Sequence, residues 1–211
     1  MSITYPVTWP TSPAPAEMEL AIRTVSGVNV SPYTLAQEAY EWPGVQVLAS
    51  VRYAPRMARA DADPIIAAGA SLFGRMGTFL LGPAGTDGTP RGALGGTPVV
   101  DGANQEGKTL NIRGCSNSIT NWLRKGDWIQ LGSGATAHLH MSLKDTNTDG
   151  TGKATLDLSP PVGGLRGVPA DGATIVTANP VGVFRMPADK MRWTISEAHH
   201  RGIVFEAEEA L

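Results

Sequence analysis

The chain has 211 residues, 42% of them hydrophobic, with a net charge of −2, one cysteine, 25 glycines and 16 prolines. That length permits one β-rich domain or two small ones around a real core, and the apolar content excludes a disordered chain. A pI near 6.1 leaves no basic footprint for nucleic acid, and no stretch approaches the ~20 apolar residues of a membrane span.

The lone Cys115 excludes an internal disulfide framework and fits a reducing compartment. The opening MSITYPVTWPTSPAPAEMEL has neither the basic nor the apolar segment of a secretion signal. The expectation is a protein made in the cytosol and used there or assembled into something larger.

Residues 1–17 hold four prolines and little periodicity, so they are expected as an extended arm rather than a strand. Such an arm is either a frayed terminus or a segment lying across a neighbouring subunit. Tyr5 and Trp9 favour the second, since a solvated tail seldom needs large aromatics. From Met18 to Tyr33, apolar alternation predicts one strand or a hairpin bent at Gly27. A second strand is expected over Ala39–Tyr53, with a bulge or bend at Pro43-Gly44.

The clearest helix is ADADPIIAAGASLF, Ala60–Phe73. Asp61 or Asp63 can cap it, with Pro64 in the first turn. Ile65, Ile66, Gly69, Leu72 and Phe73 fall on one face; Gly74 and Gly77 end it, and Thr78–Leu81 returns as a strand. Residues 82–108 are rich in Gly, Pro and Thr and are expected as a long loop or linker.

A second lobe follows, with strands expected around 109–113, 127–132, 136–143, 153–158 and 173–178. The segment SNSITNWLRKG is expected as a short helix-like turn capped by Ser116 or Ser118. Closing strands are expected around 181–186, 191–197 and 202–208, ending in the acidic tail FEAEEAL.

Three stretches carry a resemblance. They are EWPGVQVLASVRYAPRMARADADPIIAAGASLFGRMGTFLLGP; NWLRKGDWIQLG with HLHMSLKDTNTDGTGKATLDLSPPVGGLR; and GVFRMPADKMRWTISEAHHRGIVFEAEEAL. In this order of elements the chain resembles the distal tail proteins of long-tailed, siphophage-like bacteriophages. The fold this implies is mainly β: a split β-barrel of the tube type with one flanking α-helix, and a β-rich second lobe inserted before the C-terminal strands. The implied units are an arm (1–17), a ring-forming barrel (18–82 with 181–211), and a linker with inserted lobe (83–180).

The resemblance implies a structural virion protein whose homo-oligomeric, hexameric ring joins the tail tube protein to the baseplate hub and tail fibre proteins. Genomic DNA would pass through its channel without specific binding, and the protein would sit at the tail tip after assembly in the host cytoplasm. No catalytic residues, cofactor or membrane insertion are expected. Candidate subunit-packing residues are Tyr5, Trp9, Trp42, Trp122, Trp128 and Trp193. The competing expectation is a carbohydrate- or ligand-binding β module of a tail tip, with Trp122, Trp128 and Trp193 as stacking platforms.

Chemistry-bearing motifs weigh little against these. Asp145, Asn147, Asp149 and Gly150 match the first half of a calcium loop, but the twelfth position is Leu156, and the same residues serve a tight turn. Of the four histidines, His138 and His140 lie two apart on a strand and could pair on a metal, while His199 and His200 sit near the end. Ser133 lacks a nucleophile-elbow context, and Cys115 needs a cationic environment to react. The basic residues Arg52, Arg56, Arg59, Arg75 and Arg91 are interleaved with acids, as on a solvated face or in an inter-subunit ion-pair set.

Overall fold

A computed structural model describes residues 3–83, 88–196 and 200–211. The protein is mainly β, with one flanking helix, and its strands form two sheets. In chain order the first group is β1 (Val7–Thr8), β2 (Glu17–Val30), β3 (Gln37–Arg52), helix α1 (Arg59–Ala70) and β4 (Phe79–Leu81). The second is β5 (Gly96–Val100), β6 (Gly107–Cys115), β7 (Trp128–Leu131), β8 (His138–Ser142), β9 (Ala154–Val162) and β10 (Ile175–Val176). The last is β11 (Gly182–Arg185), β12 (Trp193–Ile195) and β13 (Arg201–Glu209).

The strands on either side of the insert share one seven-stranded sheet in the order β1-β4-β11-β13-β3-β2, with β12 added on β13. The insert is a six-stranded sheet, β10-β7-β8-β9-β6-β5. It curls nearly into a barrel: Val99 bridges to Thr174, and Val100 N–H donates to the Ala173 carbonyl at 3.0 Å, which brings the two edge strands together. Closure of this kind removes exposed sheet edges. β5 is a strand the Gly- and Pro-rich composition of 82–108 hid, because its pairing partner β6 supplies what local propensity withholds.

Each sheet has its own core. Val47, Val51, Tyr53, Phe79, Phe184 and Phe205 pack with Trp9 in the first; Leu110, Ile112, Trp122, Ile129, Leu156 and Ile175 fill the insert. Leu139 of β8 reaches into the first core, so the two lobes share packing.

Several expectations are corrected. The N-terminal segment is tied down: β1 pairs in parallel with β4, and Trp9 is 5% exposed, donating its indole N–H to the Tyr53 hydroxyl at 3.0 Å. Its prolines shape the path but leave Val7 and Thr8 free to pair. Helix α1 starts a residue earlier than expected, at Arg59, with Ala58 as N-cap and no side-chain cap bond. Pro64 therefore lies inside the helix, removing the bond Ala60 would accept. Asp63 instead pairs with Arg59 at 2.9 Å and with Arg201 at 3.2 Å, fastening the helix to β13. Ile65, Gly69 and Leu72 are buried, whereas Phe73 follows the last turn at φ 51° and is exposed. The segment around Ser116–Gly126 is a chain of turns, with Ser118 and Asn121 at φ 55° and 52°, not a helix. The last residue of the strand expected over 191–197 lies outside the described residues, as does His199.

Candidate assembly surface

β2 and β3 form one long antiparallel hairpin, straight through Gly27, with its register shift where Val25 meets Trp42 and Pro43-Gly44 bulges out. The half nearer the core, Val45–Arg52, alternates buried and mostly half-buried residues, and β13 pairs with its Leu48–Arg52 on the other side. The outer half, residues 25–42, is different. Among the described residues its two strands pair only with each other. An isolated two-stranded ribbon is marginally stable in water, and this one carries Val25, Val28, Val30, Tyr33, Leu35, Tyr40 and Trp42 all exposed.

Strand alternation divides the ribbon into two faces. Val25, Gly27, Asn29, Glu38, Tyr40 and Trp42 share one face; Val28, Val30, Ala39 and Glu41 share the other. Glu41 pairs with Lys108 of β6 at 2.6 Å, so the second face looks toward the insert. On the first, the Tyr40 ring lies across Gly27, where any Cβ would collide with it, and Trp42 stands edge-on to Tyr40 with centroids 5.9 Å apart. Glycine at position 27 lets the ring lie there; an added Cβ would push it aside. The aromatic face is thus an ordered surface within the chain.

At the far end of the same sheet, Trp193 and Ile195 of β12 and Val204 of β13 are exposed. A groove of about 650 Å³ opens there, lined by Arg52, Tyr53, Arg192, Trp193, Ile203 and Val204.

The six expected packing residues separate by burial. Trp42 and Trp193 are 55% and 43% exposed. Trp9 and Trp122 are core residues; Trp122 is fully buried in the insert and donates to the Gly95 carbonyl at 3.0 Å. Tyr5 is half-buried and donates its hydroxyl to the Ser71 carbonyl, and Trp128 is half-buried against the first core. Of the three expected stacking platforms, Trp122 has no exposed face, Trp128 is half-buried and Trp193 is exposed.

The calcium-like triad does not converge. Asp145 accepts from Lys125 N–H, Asn147 from Asn121 N–H, and Asp149 from Thr151 and Lys153, so each side chain caps a separate stretch of backbone. Cys115 is buried, which together with the Asp149 charge pushes its thiol up to about 11; that is the environment of an inert thiol. Ser133 caps a short turn through Thr136. Of the arginines, Arg52 pairs with Glu17, Arg59 with Asp63 and Arg91 with Asp127, while Arg75 donates to the Pro187 carbonyl.

His138 and His140 do not form a pair on one ligand. His138 Nδ1 meets Glu209 at 3.1 Å, and His140 Nδ1 donates to the Pro160 carbonyl at 2.8 Å. A carbonyl can only accept, so His140 holds its proton on Nδ1. Burial pushes the His140 imidazole down to about 4.

Glu209 is the residue sequence reasoning missed. Its carboxylate, 1% exposed, joins the two lobes: it accepts from Val47 N–H at 3.0 Å, from Arg166 Nε at 3.1 Å, and from His138. Burial alone would raise its pKa, but the His138 and Arg166 side-chain bonds outweigh that and hold it below the usual value. The signal lay in the alternation Ile203, Phe205, Ala207, Glu209, which turns this residue of the "acidic tail" inward. The chain matches no protein-family model, and no curated protein matches it.

Proposed function

We propose that the protein is a structural component of a phage virion, a distal tail protein whose copies close into a ring. On the resemblance, that ring is hexameric, joins the tail tube to the baseplate hub and fibre proteins, and surrounds a channel for genomic DNA. It sits at the tail tip and performs no catalysis. The observation that supports this reading is the ribbon of residues 25–42, with both edges unpaired among the described residues and its apolar side chains exposed. A surface of that kind marks an interaction site, and in a homo-oligomer ring closure satisfies every copy's contact at once.

Light scattering on the purified protein, alone and mixed with tube and hub proteins, tests this, together with electron microscopy of any assembly. A closed ring of fixed stoichiometry is expected. A strict monomer at high concentration and with both partners present rules the reading out.

A further inference from the structure

We infer that the aromatic face of the ribbon docks into the basic groove between β3, β12 and β13 of a second copy of this chain. The inference rests on the ring reading and specifies its contact. The ribbon carries Glu38 and Glu41 and no basic residue between 25 and 42. Glu41 is engaged by Lys108 within the chain, which leaves Glu38 as the carboxylate beside Tyr40 and Trp42. The groove is its complement: Arg192 is exposed at its rim beside Arg52, which Glu17 engages within the chain, and Trp193 and Val204 are exposed on its wall. Guanidinium groups attract both a carboxylate and the faces of Trp and Tyr.

The two surfaces lie at different places on one sheet, so the contact is heterologous: ribbon to groove, head to tail. A heterologous contact builds rings when its rotation closes. The same geometry explains why an 18-residue ribbon rich in exposed apolar side chains can persist where none of the described strands covers it. In the assembly, Tyr40 and Trp42 leave water against Trp193 and Val204, and Glu38 meets Arg192.

Reciprocal charge reversal tests this. One variant carries Glu38→Lys; the other carries Arg52→Glu with Arg192→Glu. Each alone juxtaposes like charges and is expected to weaken self-association by about a hundredfold. Mixed together, each ribbon finds a complementary groove on the other variant, and assembly is expected to return in alternating order. Circular dichroism and thermal midpoints confirm that each variant is folded.

A second measurement uses Tyr40→Cys and Thr194→Cys in separate copies, mixed with a short bismaleimide; Cys115 is buried and does not compete. A cross-linked dimer is expected. Wild-type assembly with unaffected variants, failure of the mixture to recover, or absence of the cross-link overturns the groove contact while leaving the ring. A monomeric wild type fails the ring reading itself.

Discussion

Glu209 shows how one buried charge fixes the relation of two lobes. It comes from the last strand of the first sheet, while Arg166 and His138 come from the insert, and all three side chains are nearly dry. Removing one partner of such a cluster strands the others without water. Glu209→Ala is therefore expected to cost about 3–5 kcal/mol, read as a lowered urea midpoint. Glu209→Gln, which keeps some of the hydrogen bonds, is expected to lose less.

His140 adds a pH dependence at the same seam. Its folded pKa, about 4, lies below the ordinary 6.5, so the unfolded chain binds its proton first as pH falls. The stability it contributes is complete above pH 6.5 and is lost between there and pH 4, amounting to about 3 kcal/mol. Glu209, held below its ordinary 4.5, contributes stability that is lost as pH drops further, through its folded value. Chemical denaturation from pH 7.5 to 4 is expected to show the first loss, and His140→Gln is expected to flatten it. An unchanged slope in that variant would remove His140 as the cause.

Among the elements, the β2–β3 hairpin carries the functional argument, and its parts were unequally legible. The Pro43-Gly44 bulge was readable, because Pro lacks a donor and Gly permits the kink. At Gly27 the pattern left one strand and a bend both open. The straight course is decided by pairing with β3, whose Tyr40 ring lies across the glycine from the opposite strand. Gly27→Ala is expected to push Tyr40 off the face and weaken self-association, leaving the thermal midpoint within about 1 °C because surface changes seldom exceed a few tenths of a kcal/mol. A lower midpoint with unchanged association would show instead that Gly27 serves the hairpin alone. The N-terminal segment and the turns near Ser118 failed for a related reason. Trp9 is held by Tyr53, 44 residues away, and Ser118 N–H bonds to the Asp149 carbonyl; neither partner is visible locally.

At the scale of the whole molecule, the many short strands and turns followed from composition and alternating segments, while the insertion before the C-terminal strands came only with the resemblance. Which sheet curls toward closure followed from neither. That depends on β10 meeting β5 through Val99 and Thr174, a contact between residues far apart in sequence. The exposed surface was only half legible: Trp42 and Trp193 are at the surface, while Trp9 and Trp122, equally prominent in the sequence, fill cores. Burial is a property of the assembled sheets, and single residues do not announce it.

The account therefore turns on whether copies of this chain associate through the ribbon. Sedimentation velocity across a concentration series, comparing the full chain with a variant in which residues 26–41 are replaced by an Asn-Gly turn, measures this directly. The account predicts a discrete assembly for the full chain and a monomer of equal thermal midpoint for the shortened one. A monomeric full chain, or a shortened variant that assembles equally well, would contradict it.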